Sequence, residues 1–386
     1  MNYSNPEIGA SNPVKVLFVA TSYPADLSDW RGLFIRHLAD ALARRKDVTV
    51  SLLAPPGEIH PRVVPATKVI EAKWLAGLMA KGGIAQALRA GGWSAISTPV
   101  RLLSLLRTVY VRHKPVDIYH INWLQNALPL PANGKPLLVS VLGSDIPMLT
   151  KPGMLFLMRR VFRHHPTIIC PNAEWMVQPL KEAFPDVVDV RFVPFGIDPV
   201  WFDIQRTVPL SEPKRWLVVT RLTQAKLGSL FKWCAPLFEG HSSRELHLFG
   251  PMQETIELPP WVHYHGAVGP EDLNKNWFPG AQGLITLSRH AEGRPQVMLE
   301  AMAAGLPIIA SRLPAHENIV FHRKTGWLCD DPTAVAQGVS FFENERENQL
   351  AGQMARVWAK QEIGTWDDCA ARYTSIYLSL LEGAGE

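Results

Sequence analysis

Short apolar segments alternate with amphipathic helical segments along nearly the whole chain, and this alternation constrains the fold more than any other feature. The segment Val14 to Ala20 is rich in β-branched and aromatic residues, which is typical of a strand buried on both faces of a sheet. A polar loop follows, and apolar residues then recur at helical spacing from Gly32 to Leu42. Strands that alternate with helices predict an α/β fold with parallel sheets.

The alternation occurs in two successive series. The first series predicts further strands at Val48 to Ala54, Asp117 to Trp123, Pro136 to Leu142, Thr167 to Cys170 and Val190 to Pro194. The second predicts strands at Trp216 to Thr220, Leu246 to Phe249, Val262 to His265, Gly283 to Leu287, Ile308 to Ser311 and Gly326 to Cys329. Proline-rich Asp198 to Pro213 lies between them and is the best linker candidate.

A chain of 386 residues also exceeds the size at which a single hydrophobic core keeps growing. We therefore predict two Rossmann-like domains, residues 1–205 and 206–364, that face a central cleft. Residues 365–386 are predicted to form a C-terminal amphipathic helix that packs back on the N-terminal domain.

Composition narrows the class of protein. A net charge of +4 gives no indication of nucleic-acid binding, and no apolar run approaches the ~20 residues of a membrane-spanning helix. Residues 1–13 are polar and lack the apolar centre of a signal peptide, so we expect a cytoplasmic protein. The four cysteines form no CxxC pair, which favours buried free thiols over a disulfide framework or a zinc site: Cys170, Cys234, Cys329 and Cys369.

The segment 283–311 carries the strongest chemical signal, because it reads as strand, loop, helix and strand. Pro295 suits the first helical position, Gln296 to Ala304 are good helix formers, and Gly305 suits the left-handed residue after the helix. A helix entered through the loop 292–294 points free backbone N–H groups at the cleft. This arrangement predicts a pyrophosphate-binding site.

Two carboxylates, Glu292 and Glu300, flank this expected site with seven residues between them. Carboxylates suit sugars because their two oxygens accept hydrogen bonds from adjacent hydroxyls. The spacing alone leaves a second interpretation open, in which Glu292 is a turn residue and Glu300 a solvated helix residue.

The run EGRPQVMLEAMAAGLP, residues 292–307, resembles the E-x7-E motif and the following Ala-Met-Ala-x-Gly-x-Pro run of glycosyltransferase family 4. This group contains the retaining group 1 glycosyl transferases with the GT-B fold, and the resemblance covers about Val14 to Leu381. It implies that Glu292 contacts hydroxyls of the donor sugar and acts in catalysis. It implies a second set of residues that bind the nucleotide sugar: Glu300, Gly293, Arg294, Gln296 and Val297.

Many family members carry Phe-Gly where this chain has Arg294–Pro295. A proline has no N–H to donate, so the amide contacts fall to Gln296 and Val297.

A second match is the run LVVTRLTQAK, residues 217–226. The family places an arginine after the first strand of the C-terminal domain and a lysine five residues later, and both bind the donor diphosphate. By this resemblance Arg221 and Lys226 act as catalytic cations without a metal ion, because fixed positive charge stabilises the leaving diphosphate. Arginine and lysine near a strand end are also common as ordinary surface charges. The family's Lys-Gly is here Lys226-Leu227-Gly228, a departure of one residue.

Two loops of the N-terminal half resemble family segments near the diphosphate and the acceptor. Gly32 would allow close backbone approach to the ligand, or it simply eases the start of a helix. Gly143-Ser144-Asp145 resembles His-Gly-Ser-Asp, so Asp145 would orient the acceptor as a catalytic residue, or cap the following turn. Leu142 stands where many members have a histidine that touches the donor sugar, so that contact is missing.

The segment Glu71 to Lys114 matches the family least well and is basic and aromatic. Such helices lie in the headgroup layer of anionic membranes, although ordinary core-covering helices with a solvated basic face share the pattern. Members of the family often act on lipid-linked acceptors, so contact with the inner face of the cell membrane is a further expectation. The basic and tryptophan residues concerned are Lys73, Trp74, Lys81, Arg89, Trp93, Arg101, Arg107, Arg112 and Lys114.

The expected function is sugar transfer from a nucleoside diphosphate sugar to a hydroxyl acceptor, a glycan or lipid-linked intermediate of cell-surface polysaccharide synthesis. No cofactor, metal or nucleic-acid partner is expected. A sugar-nucleotide-binding or scaffold protein that has lost catalysis remains an alternative, because of Leu142 and Pro295. A nicotinamide-dependent dehydrogenase is disfavoured, because the loop from Thr21 to Gly32 lacks GxGxxG.

Overall fold

A computed structural model describes residues 12–84, 88, 91–113, 115–207, 212–290 and 292–383. Arg89 and Lys114 of the basic segment, and Pro209 of the proline-rich linker, lie outside the described residues.

The N-terminal domain is built on a parallel sheet. Its strands are β1 Val14–Val19, β2 Val48–Leu53, β3 Val64–Pro65, β4 Ile118–Asn122, β5 Leu137–Val141, β6 Thr167–Pro171 and β7 Asp189–Val190. Within the described residues the strand order is β3-β2-β1-β4-β5-β6-β7. Its helices are α1 Leu33–Arg44, α2 Val69–Ala80, α3 Ser94–Arg112, α4 Asp145–Leu149, α5 Met154–Phe162 and α6 Val177–Ala183. Apolar residues on both faces of the sheet pack into two separate cores.

The C-terminal domain repeats this plan. Its strands are β8 Lys214–Val219, β9 Arg244–Phe249, β10 Val262–Tyr264, β11 Gly283–Thr286, β12 Ile308–Ser311 and β13 Gly326–Cys329. They pair in parallel in the order β10-β9-β8-β11-β12-β13 among the described residues. The helices from the linker onward are α7 Pro199–Phe202, α8 Gln224–Leu227, α9 Leu230–Phe238, α10 Pro270–Asp272, α11 Gln296–Ala303, α12 Pro314–Glu317, α13 Pro332–Glu343, α14 Glu345–Trp358 and α15 Trp366–Gly383.

The strand order reverses once in each sheet, between β1 and β4 and between β8 and β11. Loops that leave neighbouring strands at such a point diverge, and a crevice opens outside the carboxyl ends of the strands. The loops after β8 and β11 carry the predicted donor-site residues. These two loops are distant in the chain. They lie side by side because β8 and β11 pair, with Leu217 opposite Leu284.

Three local predictions need correction. The strand predicted at Val190 to Pro194 is β7, Asp189–Val190; Arg191 and Val193 still donate to β6, and Pro194, which has no N–H, cannot continue the pairing. The linker is partly ordered, because Asp198 caps α7 and Trp201 packs in the C-terminal core. Pro295 precedes α11 as its N-cap instead of occupying its first helical position.

The last helix, α15, leaves the C-terminal domain and packs against α1. Its buried side chains Trp366, Tyr373 and Tyr377 belong to the same core as β1. Tyr377 lies 2.5 Å from Nδ1 of His120 on β4, and the other ring nitrogen of His120 lies 2.8 Å from Ser140 on β5. The chain terminus thereby joins the N-terminal sheet by a buried polar network.

Cys170, Cys234, Cys329 and Cys369 are buried free thiols, which confirms the prediction from their spacing. Among the described residues, no helix combines the length and the apolar character that a bilayer-spanning helix needs.

Candidate functional site

An ion pair between Lys226 and Glu292 lies where the C-terminal sheet reverses its strand order. Nζ of Lys226 is 2.6 Å from a carboxylate oxygen of Glu292, and both side chains are 13% exposed. Burial lowers the pKa of Lys226, while the neighbouring Glu292 carboxylate opposes that shift. Burying an ion pair is costly unless the geometry is good, so this pair is a functional candidate on physical grounds.

The loop after β8 places Lys226 through a capped helix and a glycine. Thr223 caps α8, and its hydroxyl accepts from the backbone N–H of Lys226 at 3.2 Å. Gly228 has a φ of 55°, and a Cβ there would lie 2.1 Å from the carbonyl oxygen of Leu287, just after β11. Gly228, which lies one residue later than the glycine of the family motif, is therefore required where this loop packs on the loop after β11.

Glu300 lies on α11 near Asp198, the residue that caps α7. Burial, together with the nearby Asp198 carboxylate, raises the pKa of the Glu300 carboxyl to about 8. A carboxyl that holds its proton at neutral pH donates one hydrogen bond and accepts others. This environment differs from that of the solvated helix residue that spacing alone left open.

The amino terminus of α11 has backbone N–H groups that are available as hydrogen-bond donors. Gln296 and Val297 occupy its first turn, where the N–H groups have no carbonyl partner within the helix. The side chain of Arg294 lies elsewhere: the residue is buried, and its guanidinium stacks over Phe192 of the N-terminal domain at 5.0 Å. Only the backbone of Arg294 remains a candidate for donor contact, and burial lowers the pKa of its side chain to about 10.

The loop after β11 meets the N-terminal domain directly. A Cβ on Gly143 would lie 2.2 Å from the backbone nitrogen of Gly293, so two backbones touch across the cleft. Trp175 donates its indole N–H to the carbonyl of Gly293 at 3.0 Å, and Gln296 donates to the carbonyl of Gly196 at 2.8 Å. The two domains are therefore closed against each other at this loop.

Asp145 is 1% exposed, and both of its carboxylate oxygens accept from backbone groups. The donors are the N–H of Leu142 at 2.8 Å and that of Leu124 at 3.0 Å. Burial raises the pKa of this carboxyl to about 7, even though the two backbone donors act to lower it. Both donors precede Asp145 in the chain, so the expectation that its side chain caps the following turn is wrong; the carboxylate instead fixes the shape of the loop that carries Gly143.

Gly32 has a φ of 74°, and a Cβ there would lie 2.9 Å from the backbone of Ser22. Glycine is therefore required at this position by packing within the N-terminal domain, at the start of α1. From the same loop, Trp30 lies under the guanidinium of Arg221, with 5.6 Å between the guanidinium carbon and the ring centroid. Arg221 and Lys226 act electrostatically on each other, so both predicted cations share one region.

Sequence reasoning missed several residues at this site. Asn172 and Trp175 follow β6 and contact the loop at Gly293, and a polar residue directly after a buried strand is the signal that would have found Asn172. Ser288 donates to Glu292 at 3.3 Å. His316, fully buried on α12, acts electrostatically on both Glu292 and Lys226.

Residues 214–342, within the C-terminal domain, match the family model of the glycosyl transferases group 1. This domain belongs to that family. The amylovoran biosynthesis glycosyltransferase AmsK of Erwinia amylovora is 28% identical over 162 residues, which are 36% of this chain and 38% of that protein. The alignment thus spans well under half of the relative.

Solved glycosyltransferase structures share the fold of the whole chain. Sucrose-phosphate synthase of Thermosynechococcus elongatus superposes with a TM-score of 0.71 at 16% identity, covering 97% of this chain and 100% of that one. HepE of Anabaena, in complex with UDP and glucose, gives a TM-score of 0.66 at 14% identity, covering 95% of this chain and 100% of that one. The expected GT-B fold, two Rossmann-like domains around a cleft, is confirmed.

Proposed function

We propose that this protein is a retaining glycosyltransferase that moves a sugar from a nucleoside diphosphate sugar to a hydroxyl group of a glycan or lipid-linked acceptor. The observation that carries the proposal is the mostly buried Lys226–Glu292 pair beside the amino terminus of α11. Membership of the C-terminal domain in the group 1 family supports it. The similarity to AmsK, an amylovoran biosynthesis glycosyltransferase, favours an acceptor in cell-surface polysaccharide synthesis.

Positive charge and helix-end amides bind the diphosphate in this proposal. Arg221 and Lys226 provide two cations near each other, and Gln296 and Val297 provide backbone N–H groups at the positive end of the helix dipole. As the glycosidic bond breaks, negative charge grows on the leaving diphosphate, and these fixed groups stabilise it without reorganising. Such a site needs no metal ion.

Carboxyl groups on either side bind hydroxyls. Glu292, once separated from Lys226 by the donor, accepts from hydroxyls of the sugar. Glu300, which keeps its proton at neutral pH, both donates to and accepts from the ribose hydroxyls. The acceptor oxygen attacks the anomeric carbon on the face from which the diphosphate departs, and a leaving phosphate oxygen takes the acceptor proton. The protein positions the reactants and stabilises charge.

A screen of donors tests the proposal. Thermal unfolding is followed with UDP-, GDP- and dTDP-sugars, since a ligand that binds only the folded protein raises the unfolding temperature. Transfer and slow donor hydrolysis are then assayed with the sugars that bind. Binding without any hydrolysis or transfer would instead indicate a catalytically impaired sugar-nucleotide-binding protein, and no binding at all would contradict the proposal.

A Glu292→Gln variant separates binding from turnover. We expect turnover to fall about 100-fold or more, because the amide cannot replace the carboxylate. Lys226 loses its partner in this variant, so free nucleoside diphosphate should bind at least as tightly as it does to the wild type. Glu271→Gln, an exposed carboxylate of the same domain, is the control and should retain turnover.

Contact with an anionic membrane surface belongs to the same proposal. Val69, Ile70 and Trp93, at α2 and the start of α3, are 87%, 76% and 80% exposed. Arg112 is tied to Glu71 and Arg101 stacks over Trp74, so part of the basic character serves these helices internally. Vesicles of anionic and of neutral lipid are the test: selective sedimentation with anionic vesicles that Trp93→Ser abolishes supports the contact, and equal sedimentation with both opposes it.

A further inference from the structure

His316 is a fully buried histidine on α12, directly after β12. Its Nδ1 lies 2.7 Å from the carbonyl oxygen of Ser311. A carbonyl oxygen only accepts, so Nδ1 carries the proton in this contact. In a neutral ring Nε2 is then an acceptor, and that atom is buried without a hydrogen-bond partner among the described residues.

The charged groups that act on this ring are those of the proposed donor site. Glu292 approaches from the loop after β11, and Lys226 from α8. Burial lowers the pKa of His316, so the ring is neutral at neutral pH, although the Ser311 carbonyl and Glu292 oppose the shift. Ser311 donates to the carbonyl of Ser288 at 2.6 Å, and Ser288 donates to Glu292, so His316 is linked through Ser311 to the loop that carries Glu292.

We infer that Nε2 of His316 accepts a hydrogen bond from the Lys226 ammonium when the nucleotide sugar is bound, which makes His316 a positioning residue for the diphosphate-binding cation. The inference rests on the proposed function. A buried acceptor without a partner costs free energy in the structure as it stands, and a partner that arrives with the ligand recovers that cost.

Donor binding changes the partners of Lys226. Its ammonium has three N–H donors and now places one on Glu292. When sugar hydroxyls engage Glu292, one N–H turns to the diphosphate and another needs a new acceptor. A neutral imidazole suits this role, because it orients the ammonium and leaves its positive charge to act on the phosphates, whereas a carboxylate would cancel that charge.

Two substitutions of His316 separate the proposed hydrogen bond from a structural role. His316→Asn retains an amide N–H near Nδ1, able to donate to Ser311, but carries no acceptor where Nε2 lies. His316→Gln reaches further and restores an acceptor near Nε2. Binding of UDP and GDP is measured by calorimetry in the wild type, in both variants, in Lys226→Met and in His316→Asn/Lys226→Met, after thermal unfolding confirms that each protein is folded.

We expect His316→Asn to weaken binding of the nucleotide about tenfold, the size of one hydrogen bond to a charged group, and His316→Gln to remain within about threefold of the wild type. In the Lys226→Met background His316→Asn should have no further effect, because the interaction is with Lys226. Equal losses in the Asn and Gln variants, or a loss that persists without Lys226, would overturn the inference alone. A wild type that binds neither nucleotide would overturn the proposed function and this inference with it.

Discussion

Burial shifts the pKa values of several individual residues of this protein. Burial raises the pKa of Glu300 to about 8 and that of Asp145 to about 7, and it lowers the pKa of Lys226 and of His316. Glu300 therefore keeps its proton at neutral pH, and His316 is neutral there. Groups with shifted pKa values cluster at functional sites. A site that binds a charged, hydroxyl-rich ligand needs charges and hydrogen-bond donors that are not already paired with water.

Glu300 gives a prediction about stability and pH. Its folded-state pKa of about 8 lies above its ordinary value of 4.5, so between these values the folded protein holds a proton that the unfolded chain has released. The free energy of unfolding should therefore fall as pH rises from about 5 to about 8. Glu300→Gln removes this contribution. The free energy of unfolding of the variant, relative to that of the wild type, should therefore increase as pH rises.

Denaturant unfolding at several pH values, compared between the wild type and Glu300→Gln, measures this difference. Glu382→Gln, at the exposed end of α15, is the surface control. Parallel pH curves for the wild type and Glu300→Gln would contradict the burial of Glu300.

At the scale of elements, helix termini and strand ends position the site. The loops after β8 and β11 present Lys226 and Glu292, while α15 joins the N-terminal sheet through aromatic side chains and hydroxyls. Tyr373 lies 2.8 Å from Ser140, which in turn lies 2.8 Å from His120. Burial lowers the pKa of His120 to about 3, so this network is neutral and its strength lies in satisfied hydrogen bonds.

Tyr377→Phe tests the docking of α15. The substitution removes the hydroxyl next to His120 and leaves a buried ring nitrogen without its partner. We expect the free energy of unfolding to fall by about 1–3 kcal/mol, measured by chemical denaturation. Leu378→Ala, at the neighbouring and 46% exposed position, should cost about 0.5 kcal/mol or less. Similar losses in the two variants would show that the buried network contributes little.

At the scale of the whole molecule, the cleft is closed by backbone against backbone. Gly143 of the N-terminal domain and Gly293 of the C-terminal domain approach so closely that neither position has room for a methyl group. Because Gly143 follows β5 and Gly293 precedes α11, small domain rotations act directly on the loop that carries Glu292. Domain closure is thereby linked to the geometry of the site.

Gly143→Ala tests this link. The added methyl would lie 2.2 Å from the backbone nitrogen of Gly293, so the domains must separate. We expect transfer activity to fall about 100-fold, since a shift of about 1 Å in a catalytic group has that effect, and the radius of gyration from small-angle X-ray scattering to increase. Gly280→Ala, where a Cβ meets nothing within 4 Å, should leave both unchanged. An unaltered radius of gyration in Gly143→Ala would mean that the seam adjusts without opening.

The sequence predicted most of the fold and proposed Lys226 and Glu292 as site residues, and its misses have local causes. The parallel strands were found because runs buried on both faces are apolar throughout. The edge strand Val64–Pro65 was missed because two residues carry no pattern. His316 was missed because its significance lies in one unpartnered ring nitrogen, which no periodicity reveals.

What the sequence by itself determined is local: the alternation of strands and helices, the helix signals around α11 and the acidic and basic residues at fixed spacing in its motifs. Tertiary structure decided the rest. It paired Lys226 with Glu292, turned the Arg294 side chain away toward Phe192, enclosed Asp145 between backbone donors and set Gly143 on Gly293. The physical reason is that periodicity reports which face of an element is buried, whereas distances between elements, and the burial that shifts each pKa, arise only when the two sheets and the final helix pack together.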